Sequence, residues 1–324
     1  MRVLITGVAG QDGTILATQL ARQGHEILGL VKPGTESSIL RRYVPSIVIV
    51  ECDLADHDLL MSTIRDYQPN ETYNLGGFTS PGASWDNEAE VMSINVESVR
   101  AIVDVLSGIP DARLFQASSA SIFEGVDVIP QTERTERTPQ SPYAKSKVLA
   151  MDVIDAARAG GLFAASGILY NHESPLRGEQ FVTRRITMAV ARIATGLQET
   201  LELGDIEVAR DWGWAPDYTR AMTLMLRADV PHDYVLATEI SHRLSFFLDR
   251  AFAAAGIDSW GEFVLSTADR RRDVDTNLLV GDSTAAYREL GWRHTVGFDD
   301  MARAMVGYDI ALLEDPQALW TDFS

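Results

Sequence analysis

Tyr143 and Lys147 stand four residues apart in the run Ser141-Pro142-Tyr143-Ala144-Lys145-Ser146-Lys147, just inside the start of a helical pattern. On a helix that spacing places both side chains on one face. A phenol gives up its proton only near pH ~10, but an ammonium held beside it favours the phenolate and lowers that pKa, which makes a usable acid/base nearer neutrality. An ordinary surface Tyr and Lys would show the same spacing. The elements around the pair have to decide between the two readings.

Those elements alternate between strand and helix patterns. Arg2 to Thr6 is a short β-rich run leading straight into Gly7-Val8-Ala9-Gly10-Gln11-Asp12-Gly13 and then a helical pattern through Leu16 and Leu20. Strand, glycine loop and helix in that order are the context of a dinucleotide-binding turn. Gly7, Gly10 and Gly13 permit close backbone approach, Gln11 and Asp12 open the helix, and a pyrophosphate rests on the unpaired N–H groups there. A purely structural strand-to-helix turn is the competing reading. The second strand, Glu26 to Val31, ends in Lys32 where an NAD-selective site carries a carboxylate, and none occurs before Glu36. This tilts the expected cofactor towards NADP, with NAD still open. Lys32, with Arg41 or Arg42, would meet the extra phosphate; a solvated basic cluster is the alternative for these three.

Asp53 and Leu54 close a third strand running from Ile47, at the strand end where ligands collect in open α/β sheets, although Asp53 could instead cap the next helix. The fourth strand, Glu71 to Leu75, runs into Gly76 and Gly77, a second place for close cofactor approach. Glu88 to Leu106 reads as a helix, and a fifth strand from Leu114 ends in Ser118 and Ser119. After the Tyr143 helix, which runs to about Ala159, Leu162 to Tyr170 is a sixth strand. The alternation predicts an α/β fold with a doubly wound parallel sheet. Beyond about residue 170 the pattern loosens into a helix at 184 to 197, short strands at 200 to 203 and 234 to 237, and arginine-rich loops. Residues 1–170 are read as a dinucleotide-binding domain and 171–324 as mainly a smaller, interleaved substrate-binding lobe that shares one cleft with it.

Composition narrows the function classes. A 46% hydrophobic fraction in 324 residues is that of a globular chain. With 46 acidic against 28 basic residues, the net charge of −18 argues against a nucleic-acid surface, and a polyanionic ligand would need a locally basic pocket. The single cysteine, Cys52, excludes an intrachain disulfide and fits a cytoplasmic protein. No signal-peptide layout, membrane span or metal-binding set is read.

The glycine loop, the strand ending in serine and the Tyr-x-x-x-Lys helix, in that order, resemble the extended short-chain dehydrogenase/reductases, which share a Rossmann fold. The runs Ile129 to Glu133, Ser141 to Ala144, Gly167 to Pro175, Phe181 to Ile186 and Arg210 to Gly213 narrow the likeness to the GDP-mannose 4,6-dehydratases, over nearly the whole chain. The resemblance implies a catalytic trio of Ser119, Tyr143 and Lys147: Tyr143 takes the C4 hydroxyl proton of the sugar, Lys147 orients the nicotinamide ribose, and Ser119 hydrogen-bonds the reacting oxygen. It implies cofactor contacts that include Leu75 and His172. It also implies a nucleotide-sugar pocket of Asn171, Val182, Arg185, Arg210, Arg272 and Asp275 around GDP, so that the substrate is GDP-mannose or another GDP-hexose.

This chain departs from that family where the family has a glutamate base two residues after the catalytic hydroxyl. Ser121 stands there, and a serine needs a partner to take its proton, with Glu124 three residues further on. Thr79-Ser80-Pro81 and Trp214 each stand where the family has a histidine. A 4-epimerase or 4-keto reductase of the same family, and a non-catalytic cofactor-binding protein, therefore stay open beside the dehydratase. The shorter loop from Lys32 to Ser38 favours a homodimer, through the helices around 88 to 106 and 143 to 158, over a tetramer.

Overall fold

The computed structural model describes residues 1–266 and 278–323. Its first half alternates β1 (Arg2–Thr6), α1 (Gln11–Arg22), β2 (Glu26–Val31), α2 (Ser38–Tyr43), β3 (Val48–Glu51), α3 (His57–Tyr67), β4 (Glu71–Asn74), α4 (Glu88–Met92), α5 (Ser98–Leu106), β5 (Arg113–Ala117), α6 (Pro142–Ala159) and β6 (Phe163–Leu169). The second half follows with β7 (Asn171–Glu173), α7 (Val182–Ala194), β8 (Leu201–Leu203), β9 (Ala209–Trp214), α8 (Ala215–Arg227), β10 (Tyr234–Leu236), β11 (Ser241–Arg243), α9 (Leu244–Ala254), β12 (Val264–Ser266), α10 (Thr284–Leu290) and α11 (Phe298–Glu314).

Seven strands make one sheet in the order β10-β6-β5-β4-β1-β2-β3, and every pair in it is parallel. The strand residues explain this. Side chains alternate across a pleat, so a sheet covered by helices on both faces needs apolar residues at every position. Val3 and Ile5 pack with Leu16, Leu20, Tyr218 and Met222 on one face, while Leu4 packs with Leu60, Ile102, Leu114 and Ile154 on the other. The chain order reverses between β1 and β4, and the crevice at their carboxyl ends is where ligands of such sheets bind.

The structure corrects the sequence reading in two places and removes a competing reading in a third. The short strand expected in the smaller lobe at 234 to 237 forms as β10, but it joins the large sheet beside β6, with Tyr234 opposite Gly167. All three of its side chains are buried, and α8 ahead of it packs on α1. The helix expected from Glu88 to Leu106 contains a π turn at Ser93–Glu97 that separates α4 from α5 and buries Asn95. Asp53 does not cap α3. Its carbonyl accepts the Asp56 N–H, ending β3 early, and Asp56 is the residue that caps Leu59 N–H at 3.1 Å.

The remaining strands form a three-stranded sheet, β11-β9-β7, and a two-stranded one, β12-β8. A second core holds them, with Ile186, Val190, Trp212, Trp214, Phe247 and Met305 among its members. Strand β7 thus starts where β6 stops and carries the chain from one core to the other.

Candidate active site

Backbone geometry builds the glycine loop at the β1 end. Gly7 has φ +64°, and a Cβ there would lie 2.7 Å from the Gly76 Cα. A Cβ on Gly13 would lie 2.5 Å from both the Gly7 carbonyl oxygen and the Val8 Cα. Leu54 closes the same corner, since a Cβ on Gly76 would meet its Cδ1 at 2.8 Å. Gly10 is the N-cap of α1 and has no side chain to offer, which leaves the first N–H groups of that helix to another acceptor. These features fit a pyrophosphate-binding cradle. Gly13→Val is expected to weaken dinucleotide affinity at least tenfold and to destabilise the fold by about 1–3 kcal/mol, because backbone rather than a side-chain tip must give way. Fluorescence titration and thermal melting check this together.

Gln11, Asp12 and His172 tie the loop to β7. The Gln11 amide donates to Asp12 Oδ1 at 3.0 Å and to the His172 carbonyl at 3.1 Å, and its oxygen accepts the Ser174 hydroxyl at 2.8 Å. His172 Nδ1 lies 2.7 Å from the Tyr170 carbonyl and Nε2 2.9 Å from Asp12 Oδ2. Both partners accept, so a doubly protonated ring satisfies both contacts. Burial alone would lower the imidazole pKa and raise that of Asp12, but each outweighs this for the other: His172 is raised and Asp12 lowered. The histidine's share of stability is complete below its ordinary pKa and is lost as pH climbs through the raised one.

Ser119, Tyr143 and Lys147 come together across the ends of β5 and α6. Ser141 caps α6 by accepting the Ala144 N–H at 3.1 Å, and Pro142 fills the first helical position, which fixes the turn that presents Tyr143. The Tyr143 phenol lies close enough to the Ser119 side chain for that hydroxyl to favour its ionised form. Lys147 is 7% exposed; its Nζ donates to the Ala117 carbonyl at 3.0 Å and stands 5.7 Å from the centre of the Tyr143 ring. The expectation that Lys147 lowers the tyrosine pKa needs correcting for this state. Burial raises Tyr143, the Ser119 contact opposing it, and burial pushes the Lys147 ammonium down to about 8. Removal of two charges from water outweighs an attraction across the width of a ring.

Several contributors have no local sequence signature. A buried ladder crosses the sheet ends: Gly76 N–H donates to Thr6 Oγ1 (2.9 Å), Thr6 to Asn74 (2.6 Å), Asn74 to Gln116 (2.7 Å), and Gln116 to the same Ala117 carbonyl that holds Lys147. Asn95, in the π turn, accepts the Phe78 N–H at 2.8 Å and donates to Ser146 at 2.9 Å. Ser84 accepts the Tyr143 N–H at 3.2 Å. Arg177 lies 3.2 Å from Glu173, stacks 3.4 Å over Phe181, and its charge reaches Asp12 and Tyr143. Polar residues at or next to the carboxyl ends of three neighbouring strands (Thr6, Asn74, Gln116) are the one signal that could have flagged the ladder.

The other candidates are spread more widely. Lys32 is exposed and 3.8 Å from Glu90, while Arg42 donates to the Gln317 carbonyl. Asp53 accepts the Ala55 N–H at 3.0 Å, and Leu75 is half-buried. Asn171 is exposed at the start of β7, Val182 half-buried and Arg185 exposed on the first turn of α7, and Arg210 half-buried on β9 beside the buried Asp211. Arg184, next to Arg185, is buried against Asp309. Arg272 and Asp275 lie outside the described residues.

A doubly wound sheet with a glycine cradle at its reversal point and a Ser-Tyr-Lys set beside it defines an extended short-chain dehydrogenase/reductase. The family model for GDP-mannose 4,6 dehydratase matches residues 4–305. GDP-mannose 4,6 dehydratase 2 of Arabidopsis thaliana is 37% identical over 98% of this chain and 88% of its own. The chain belongs to the GDP-mannose 4,6-dehydratase family. Among solved structures, UDP-glucose 4-epimerase from Thermus thermophilus in complex with NAD superposes with a TM-score of 0.84 at 23% identity, covering 95% of this chain and 99% of that one. RMD from Pseudomonas aeruginosa complexed with NADPH gives 0.77 at 21%, covering 96% and 97%. These two likenesses bear on fold. Among the described residues no helix is long and apolar enough to cross a membrane.

Proposed function

We propose that the protein oxidises C4 of a GDP-hexose, GDP-mannose in the first place, and then removes water across C5 and C6, as a cytoplasmic homodimer that uses NADP in preference to NAD. The observation that carries the reading is Ser119 beside the Tyr143 phenol with a buried Lys147 one helical turn on, next to the sheet's reversal point in a chain of this family. Gly7, Gly10 and Gly13, with Leu54, Gly76 and Lys147, would hold a nicotinamide dinucleotide; Lys32, just past the end of β2, is the group that would meet a 2′-phosphate. When bound, that group accepts hydride at C4 and returns it at C6.

The chain's own residues handle the protons. Tyr143 takes the C4 hydroxyl proton, and Ser119 holds the reacting oxygen in line with it. The ketone at C4 acidifies the C5–H bond, so that water can leave from C6. Residues 1–170 serve the dinucleotide. From 171 onward Asn171, Val182, Arg185 and Arg210, with Arg272 and Asp275, serve the GDP end, where guanidinium groups suit a diphosphate. The homodimer is proposed through α4, α5 and α6.

Incubation with GDP-mannose and NADP, followed by mass spectrometry, tests the reading: loss of one water is expected. The change from the family's glutamate to Ser121 favours a second reading, 4-epimerisation or 4-keto reduction, which needs only the trio. Conversion without mass change, or turnover that consumes NADPH, would replace the first reading by the second. Absence of any turnover would leave a cofactor-binding protein without catalysis.

A further inference from the structure

Position 121 lacks the carboxylate that a dehydratase of this family uses at C5, and the local backbone shows where another one enters. Ser119 caps a single 3₁₀ turn, Ala120–Phe123, which places Ser121 at its second residue and Glu124 directly after it. Side chains three residues apart eclipse on a 3₁₀ turn, and here the turn closes through Glu124 N–H on the Ser121 carbonyl at 3.1 Å. The Ser121 side chain lies close enough to the Glu124 carboxylate to favour its charged form. At its other end the same turn is tied to the reacting group, because Ser121 N–H donates to Ser119 Oγ at 3.2 Å and Ser119 lies beside the Tyr143 phenol.

Glu124 is held in place from the opposite side. It accepts the Ser141 hydroxyl at 3.1 Å and the Gln140 N–H at 3.3 Å, the two residues that lead into α6 and Tyr143. Ser121 and Glu124 are both half-buried, so the pair reaches solvent and is not sealed in the core. Resting on the dehydratase reading above, we propose that Ser121 and Glu124 together are the base for C5, Ser121 Oγ accepting the C5 proton while its own hydroxyl proton passes to the Glu124 carboxylate. The C5–H bond breaks, its electron pair moves into the enolate of the C4 ketone, and the C6–O bond then breaks as the C5=C6 bond forms. The proton held by Glu124 returns through Ser121 to the departing hydroxide, which leaves as water. Burial raises the Glu124 pKa above that of an ordinary glutamate, which strengthens it as an acceptor, the Ser141 contact working in the other direction.

The experiment separates oxidation from elimination. Wild-type protein, Glu124→Gln and Ser121→Ala are each mixed with GDP-mannose and NADP, following NADPH absorbance, loss of water by mass, and deuterium uptake at C5 from D₂O. Both variants are expected to form NADPH and the 4-keto hexose while deuterium uptake and water loss fall about 10²–10⁴-fold. Adding Ser121→Glu to Glu124→Gln is expected to restore water loss, since a carboxylate then reaches C5 without a relay. Wild-type rates of water loss in Glu124→Gln overturn the proposal, and wild-type rates in Ser121→Ala overturn the relay. Loss of NADPH formation together with water loss, unrepaired by Ser121→Glu, makes Glu124 a structural residue and also overturns it. A wild-type protein that forms NADPH but never loses water overturns the dehydratase reading itself, and this proposal with it.

Discussion

Tyr143→Phe is expected to lower turnover by at least about 10²–10⁴-fold while dinucleotide affinity stays within a few-fold of wild type. The ring is 9% exposed and its helix turn is fixed by Ser141, Pro142 and the Ser84 contact to its backbone, none of which needs the phenol oxygen. Phenylalanine therefore fills the same space, and the loss is chemical: Ser119 keeps its hydroxyl but has no acid/base partner. Because burial raises the Tyr143 pKa, the phenol is protonated at neutrality in this state, and the proton-abstracting form grows as pH rises. Hydride-transfer rates in wild type should then climb with pH, and the residual rate of Tyr143→Phe should not. Stopped-flow absorbance of NADPH against pH measures both. Turnover unchanged by the substitution would remove Tyr143 from the mechanism.

What could be read from the chain follows the range of the interactions. The glycine cradle, the serine at the end of β5 and the start of α6 are set by neighbours within a few residues: a tight turn, a hydroxyl cap, a proline at the first helical position. Those signals sit in the sequence itself. The position of β10 does not, because Tyr-Val-Leu is an equally good strand in either sheet, and only pairing with β6 and burial against α10 decides. Ser84, Asn95 and Arg177 were missed for the same reason: they meet their partners across 59, 51 and well over a hundred residues, and each is an ordinary loop or helix residue by type. Lys147 shows the converse. Its spacing from Tyr143 was legible, but burial and the Ala117 carbonyl set its pKa and direction, and neither is local.

Asp211→Ala is expected to cost about 3–5 kcal/mol, a large part of the ~5–15 kcal/mol that holds a typical domain. Asp211 is buried on β9 and accepts Thr238 N–H at 2.9 Å, the Thr238 hydroxyl at 2.6 Å and Glu239 N–H at 2.9 Å. Alanine strands the two buried Thr238 donors, at the turn that joins β10 of the large sheet to β11 of the smaller one. Glu239 has φ +69° there and in turn accepts Ser283 N–H and its hydroxyl, so the damage spreads to the start of α10. Asp211→Asn separates the charge from the contacts. Burial pushes the Asp211 carboxyl up to about 6, its donors notwithstanding. The folded state therefore binds that proton more tightly than the unfolded chain, and stability falls as pH rises between the two values. The gap from 3.8 to about 6, at about 1.4 kcal/mol per pH unit, comes to about 3 kcal/mol. Urea unfolding at pH 4 and pH 7.5 should show wild type losing about 2–2.5 kcal/mol relative to Asp211→Asn, since pH 4 already lies just above the lower value. A difference that stays constant with pH would mean that Asp211 titrates normally and is solvated in the folded protein.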